Sequence, residues 1–352
     1  MASFDVLVIG GGPAGATAAL LLARAGRSVA VVEKALFPRR KVCGEYIAPP
    51  AAAFLASVGI TLRSEVRRVA VWAGHRALQA PLPAPYASTL AREDLDTLLL
   101  QRAAGAGATI FQPLKALSLT RTATGYVCET PSTRLEARTV IAAHGSWEPG
   151  RLPTQERHAP MPCDLLAFKA HFRGAALSSD TIALAPFPGG YSGVLMLDDG
   201  RATFACCLRR DALEALRRPG VAAAESVLRH ALHASTGLRN AFAGAQREGA
   251  WLASGPLRAG VRSAYRDGIF AVGNAAGEVH PIVGQGISLA IASAALLYRT
   301  QDSPREYAKR CRALYARALW PSALIARLVP HARMPWLLSF GARLSLQRHL
   351  AR

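Results

Sequence analysis

The chain has 352 residues and a formal net charge of +19; 51% of its residues are hydrophobic and 18% are charged. That length and apolar content exclude a disordered or fibrous chain and predict a packed protein larger than one ordinary domain. The positive balance raises nucleic acid, acidic surfaces and anionic cofactors as partners, but Arg is scattered singly through Ala/Leu-rich stretches with no basic run interleaved with aromatics, so no nucleic-acid partner is expected.

In chain order, Phe4 to Ile9 predicts a buried strand, Gly10 to Gly15 a tight turn, Ala14 to Ala25 a helix stopped by Gly26, and Ser28 to Val32 a second buried strand. A loop from Phe37 to Pro50 and a short helix from Ala51 to Ser57 follow. Arg92 to Ala104 has helical spacing, with Leu95, Leu98 and Leu99 on one face, and alternating strands run from Thr109 to Ile141. From about Pro153 to Pro256 the texture changes to short strands, such as Leu165 to Phe172 and Ala202 to Leu208, with a helical insert from Ala212 to Ser235. Gly268 to Val272 returns to a buried strand, Gly286 to about Tyr298 predicts a helix, and the last fifty residues read as helix broken by Pro321, Pro330 and Pro335. The organisation expected is a discontinuous first domain of residues 1–152 plus 257–300, a second domain of 153–256, and a helical segment of 301–352.

Cys43, Cys128, Cys163, Cys206, Cys207 and Cys311 form no C-x-x-C pair and have no ligand-like His spacing. Neither a metal site nor a disulfide framework is expected, and a reducing cytoplasm fits. No basic segment precedes the apolar opening, so it does not read as a signal peptide, and no stretch reaches the roughly 20 apolar residues of a spanning helix.

Gly10, Gly12 and Gly15 form G-x-G-x-x-G directly after a strand and at the opening of a helix. Gly10 permits the sharp turn, Gly12 lets the backbone approach a pyrophosphate, and Gly15 lets the helix lie close on the strand. With Pro13 and Ala14 starting the helix, its free N–H groups and dipole favour a phosphate there. Glu33, followed by Lys34, ends the second strand 18 residues after Gly15, placed to accept hydrogen bonds from a ribose 2′-OH and to repel a 2′-phosphate. These residues predict an adenosine dinucleotide without that phosphate.

The distant segment Gly273-Asn274, Gly277, His280-Pro281, Gly284, Gly286-Ile287 decides which dinucleotide. Here the chain resembles the p-hydroxybenzoate hydroxylase and geranylgeranyl reductase superfamily of FAD enzymes. The resemblance implies an α/β fold: a Rossmann-type, glutathione-reductase-like FAD-binding domain, a β-sheet substrate domain and a helical C-terminal tail. It implies FAD as cofactor with NAD(P)H as electron donor. It also implies a ribityl-holding position at Asn274, where the family usually has Asp, and a helix at Gly284–Ile287 aimed at the flavin. A helix N-terminus there would stabilise an anionic reduced flavin. Arg92, with Asp96 after it, matches the family helix whose Arg contacts FAD phosphate or ribose. His144 and Gly277 depart from the pattern of NADPH-dependent hydroxylases.

Cys43-Gly44-Glu45 resembles an element of geranylgeranyl reductase-like proteins that reaches the flavin, which makes Cys43 a candidate facing the isoalloxazine and Glu45 or Arg40 candidates for holding cofactor or substrate. A buried small Cys and a loop salt bridge are the alternatives. Pro188 to Gly193 resembles part of a P-x-x-Y-x-W element, which places Tyr191 in the substrate cavity and leaves it wider at Gly193; otherwise Tyr191 is a turn residue. His280 is the candidate proton donor beside the flavin, the alternative being a solvent-facing loop His.

Two enzyme classes follow: monooxygenation of a bulky aromatic or polyketide-like substrate, slightly preferred, and reduction of a C=C bond of an apolar substrate. Halogenation is set aside because Trp72, Trp147, Trp251, Trp320 and Trp336 are isolated, and intact Gly10, Gly12, Gly15 and Glu33 argue against a flavin-free binding module. In residues 301–352, ten Lys/Arg face Asp302 and Glu306, with an apolar stripe of Trp336, Leu337, Phe340 and Leu344. Cover of a domain core is expected for that stripe rather than peripheral membrane contact. The sequence carries no signal for oligomeric state.

Overall fold

The computed structural model describes residues 2–145, 152–155 and 159–328. Ala2–Ile9 is the centre of the first sheet, pairing in parallel with Val29–Val32 on one side and Arg134–Ala142 on the other. Thr109–Phe111 extends one flank and Ile269–Ala271 the other, again in parallel. These strands are short runs of Val, Ile, Leu and Ala because they are covered on both faces. The chain leaves the central strand in one direction and returns on its other side. That reversal opens a crevice at the carboxyl ends of the strands, the position where open α/β sheets bind ligands. Gly10, Glu33, Ala143 and Gly273 all lie within two residues of those ends.

The helix Pro13–Arg24 starts on a proline whose missing N–H costs nothing at a first turn. It is buried over most of its surface, packed against Arg92–Gly105 and Gly286–Thr300. This cluster of small and branched side chains is the largest of four apolar clusters among the described residues.

The second sheet runs in the order Gln246–Leu257, Leu165–Arg173, Ala202–Arg209, Gly190–Met196, Thr181–Phe187, Arg68–Ala73, Arg76–Pro81. Its last two strands correct the expected boundary: residues 68–81, placed by sequence in the first domain, join the second sheet through a parallel pairing of Arg68–Val71 with Thr181–Leu184. The β-branched and aromatic residues Val69, Val71 and Trp72 suit a strand wherever a partner edge is offered, and the partner lies more than a hundred residues ahead.

Alternation along the second sheet separates two faces. Phe168, Ala170 and Phe172, with Phe204, Cys206 and Leu208, pack into the core under helices Arg210–Leu216, Ala223–Ala234 and Thr236–Ala241. The intervening Ala167, Lys169 and His171, with Thr203 and Cys207, occupy the opposite face. The helical insert expected as one piece from Ala212 to Ser235 is split, because Pro219-Gly220 interrupts it and Ser235 caps a separate helix by accepting from Leu238 N.

The helix Pro304–Leu328 contains Pro321 without ending there, contrary to the break expected. The preceding turn carries exposed Arg317, so the carbonyl left without its helical donor is open to water. Residues 329–352, with the Trp336 to Leu344 stripe, lie outside the described residues. No described helix is long and apolar enough to cross a membrane. Two fully buried tyrosines fasten Pro304–Leu328 to the first sheet: Tyr307 Oη donates to Ala271 O at 2.6 Å and Tyr315 Oη to Gly273 O at 2.7 Å. Tyr315 also explains Gly277, where an added Cβ would lie 2.7 Å from the Tyr315 ring.

Tyr315→Phe removes the hydroxyl donor while keeping the ring, so urea unfolding is expected to lose about 1 kcal/mol of stability; an unchanged midpoint and slope would show that this hydrogen bond does not anchor the helix.

Candidate active site

One cavity of about 970 Å³ runs from the Gly-rich turn to the face of the second sheet opposite its helices. At the nucleotide end Gly10 has φ +107°, and an added Cβ would meet Ala143 O at 2.5 Å. A Cβ on Gly15 would sit 1.9 Å from Gly10 O, so helix and turn touch directly. Gly12 is the opposite case: an added Cβ would find only Arg92 Nη2, at 4.0 Å, so its backbone faces the cavity. Glu33 is buried and accepts from Gly11 N at 2.8 Å and Ala35 N at 2.9 Å, with Arg39 Nη2 at 3.3 Å. Two of those contacts fall on Oε1 and one on Oε2, which leaves Oε2 a lone pair for a ribose hydroxyl.

Three cations converge on this end. Arg92 is clamped by Asp96 through Nε–Oδ1 at 2.8 Å and Nη2–Oδ2 at 2.7 Å. Burial opposes its charge, and the Asp96 carboxylate outweighs burial and holds its pKa above the ordinary value. Lys41 is half-buried beside Arg92 and Arg39, and desolvation first, then those two charges, lower its pKa to about 8. Arg39 Nε is buried without a hydrogen-bond partner among the described residues. An orphaned donor, a cationic cluster and a bare backbone at Gly12 are the complement of a pyrophosphate, so the residues present fit FAD.

The loop after the second strand is held by Glu45, which is fully buried with φ +58°. Its Oε1 accepts from Arg92 N at 2.8 Å and pairs with Lys169 Nζ; its Oε2 accepts from His171 Nε2 at 2.8 Å and Thr203 Oγ1 at 2.5 Å. Arg201 Nη1 lies 3.1 Å from His171 Nδ1 and 2.7 Å from Glu93 Oε1, and since Arg only donates, His171 accepts at Nδ1 and donates from Nε2. Burial pushes the Glu45 pKa up, but the His171 hydrogen bond and the Lys169 charge overcome it and bring it to about 2. Of the two sequence alternatives for Glu45, the geometry is that of the salt bridge. The signal was present in Lys169 and His171, two charged or polar residues spaced by two on one face of an otherwise apolar strand.

Of the residues expected from sequence, Gly10, Gly12, Pro13, Ala14, Glu33, Lys34, Cys43, Arg92, Tyr191, Gly273, Asn274, Pro281, Gly284, Gly286 and Ile287 line the cavity. Arg40 does not: its guanidinium turns to the second sheet, donating to Glu248 O at 3.0 Å, and Arg39 and Lys41 take the cavity side instead. His280 does not line it either. Its Nδ1 accepts from Ile282 N at 3.4 Å, its ring lies 5.8 Å from that of Tyr191, and burial lowers its pKa to about 4, so it caps the Pro281–Val283 turn as a neutral group. Cys43 lines the cavity and its Sγ accepts from Glu45 N at 3.3 Å. His144 bonds Gly145 O at 2.7 Å and Thr154 Oγ1 at 2.8 Å. Ser146 and Trp147 lie outside the described residues.

The far end of the cavity is apolar. Ala167, Ile182, Leu184, Ala205 and Leu257 line it together with Tyr191, whose hydroxyl shares a hydrogen bond with Cys207. Burial raises both the phenol and the thiol, Cys207 to about 12, so both keep their protons at neutral pH. Gly193 also lines this end, and an added Cβ there would meet only Leu184 Cδ2, at 3.6 Å.

Because the Glu45 pKa is lower folded than unfolded, its contribution to stability is complete above the ordinary 4.5 and is lost as pH falls towards 2. Glu45→Gln is expected to cost about 3 kcal/mol at pH 7 and to flatten the acid limb of stability against pH; an unaltered acid limb in urea titrations would contradict the clasp.

Residues 3–300 match the family described as FAD binding domain. The menaquinone reductase of Mycobacterium tuberculosis is 30% identical over 353 residues, covering 92% of this chain and 80% of that protein. Digeranylgeranylglycerophospholipid reductase 2 of Methanopyrus kandleri is 29% identical over 309 residues, covering 81% of this chain and 73% of that protein. The myxobacterial chondrochloren halogenase superposes with a TM-score of 0.76 at 21% identity, over 90% of this chain and 79% of that one, a likeness of fold alone. With a Gly-rich turn, Glu33 and a cationic cluster set around one crevice, and a family match over most of its length, the chain belongs to the FAD binding domain family and is an FAD-dependent oxidoreductase.

Proposed function

We propose that this enzyme reduces a C=C bond of a long apolar, isoprenoid-like substrate, with electrons from NAD(P)H passing through FAD. The observation that carries the reading is the continuity of one cavity from the nucleotide end to an apolar end formed by small and aliphatic side chains. Bound FAD supplies the two-electron redox chemistry, and the protein supplies position, exclusion of water and a proton. Two relatives bear the names menaquinone reductase and digeranylgeranylglycerophospholipid reductase 2, and the match to each spans more than two thirds of both chains.

The chain's own residues have distinct tasks in this reading. The cationic end formed by Arg39, Lys41 and Arg92 holds the pyrophosphate, Glu33 holds the ribose, and the Glu45 clasp keeps Cys43 against the cavity wall. Tyr191, kept protonated by burial, carries a proton at Oη into the apolar end. Gly193 leaves that end wide. Monooxygenation of a bulky aromatic substrate is the second reading, supported by the Tyr191 ring in the same wall, which suits an aromatic guest.

Turnover with NAD(P)H and a polyprenyl substrate under anaerobic conditions is expected to give a product heavier by two hydrogens, detected by mass spectrometry. A product heavier by one oxygen, formed only with dioxygen consumption, would replace this reading with the monooxygenase. Gly193→Trp is expected to raise KM for the long substrate by at least about tenfold, the order set by filling a hydrophobic site, with FAD content unchanged.

A further inference from the structure

Asn274 and Glu278 form a pair at the cavity wall. Asn274 Nδ2 donates to Glu278 Oε1 at 3.0 Å, and both residues line the cavity. Glu278 is buried at 5% exposure; Arg262 Nη2 lies 3.4 Å from its Oε2, and Arg258 N donates to that oxygen at 3.3 Å. Arg262 also donates from Nη1 to the backbone oxygen of Asn274 at 2.9 Å, so one guanidinium holds both members of the pair. The strand Gly260–Val261, which leads to Arg262, pairs with Gly277–Glu278 and fixes the carboxylate relative to the turn.

A carboxylate accepts and never donates when ionised, so the face of the Asn274 amide turned to Glu278 is its amino group. The amide oxygen is then the atom that Asn274 offers to the cavity it lines. We propose that Glu278 is a cofactor-positioning residue: it orients the Asn274 amide so that Oδ1 accepts from a hydroxyl of FAD, and it keeps at this wall the negative charge that an aspartate at 274 would otherwise bring. The sequence resemblance leaves Asn274 as an unexplained loss of charge, and the structure relocates that charge four residues along the chain. The inference holds for either reaction class.

The charge must sit on one member of the pair and not on both. An aspartate at 274 would face the Glu278 carboxylate within hydrogen-bond reach, and two carboxylates that close share a proton. The groups facing Glu278 include Arg262 and, at longer range, Tyr315 and Cys207; the Arg258 guanidinium is drawn to Asp164, with Nε–Oδ1 at 2.6 Å. A second carboxylate here would set like charge against like within hydrogen-bond reach.

The test is FAD affinity of the full chain, measured by quenching of flavin fluorescence between pH 5 and pH 9, with thermal melting followed separately for each variant. Glu278→Ala is expected to weaken FAD binding by about tenfold, the effect of losing one oriented hydrogen bond, whereas Glu278→Gln, which keeps an acceptor for Asn274 Nδ2 but loses the charge, is expected to fall between Glu278→Ala and the parent. Asn274→Asp is expected to bind FAD progressively more weakly as pH rises. The double variant Asn274→Asp with Glu278→Gln returns affinity and a flat pH profile, because the charge has merely exchanged places. Equal FAD affinity in the parent and Glu278→Ala, or a flat profile in Asn274→Asp alone, would overturn the proposal. Should Glu278→Ala fail to fold, the Asn274→Asp and double variants still decide it.

Discussion

The buried carboxylate of Glu45 is the constraint on which the site depends. It belongs to the loop that follows the second strand of the first sheet, yet its partners Lys169, His171 and Thr203 stand on the second sheet and Arg92 N on the helix that flanks the nucleotide end. An isolated buried carboxylate is costly, and one served by four donors is stable only while all four hold their places. The two sheets therefore share one position, and the cavity between them keeps its shape. Arg201 extends the network from His171 to Glu93 and Asp199, which ties the same helix a second time.

Charge is sorted along the cavity. Cations gather at one end, and the far end holds aliphatic walls with protonated Tyr191 and Cys207. Between them the Asn274 amide donates to the Glu278 side chain near the strand end. The strongly basic composition is thus in part a local need: Arg39, Lys41, Arg92, Arg201, Arg258 and Arg262 each have a buried or half-buried task. The helix Pro304–Leu328 completes the arrangement from outside, its tyrosines holding Ala271 and Gly273 where the last parallel strand ends.

What could be read from sequence was local and periodic. The strand, turn and helix from residue 2 to 24, the acid at Glu33 and the turn before Gly286 all fall within a few residues of expectation, because each is decided by neighbours in the chain. The hairpin of residues 68–81 escaped because its partner edge, Thr181–Phe187, is distant, and sheet membership is a tertiary choice. His280 and Arg40 were misplaced for a related reason: residue type and proximity to a motif do not say which way a side chain turns, and the Ile282 N–H and the Glu248 carbonyl claimed them. The Glu45 clasp had a faint signature in the alternation of Ala167, Lys169 and His171 against Phe168, Ala170 and Phe172, visible once the strand is given a buried face on each side.

The most direct measurement is a crystal structure of the chain purified with FAD and soaked with a polyprenyl chain. The account predicts the pyrophosphate on Gly12 among Arg39, Lys41 and Arg92, the ribose on Glu33, the ring system by Cys43 and Gly284, and the polyprenyl chain along Ala167, Leu184 and Gly193. Flavin density with its ring system away from the second sheet, or a polyprenyl chain bound outside this cavity, would contradict it.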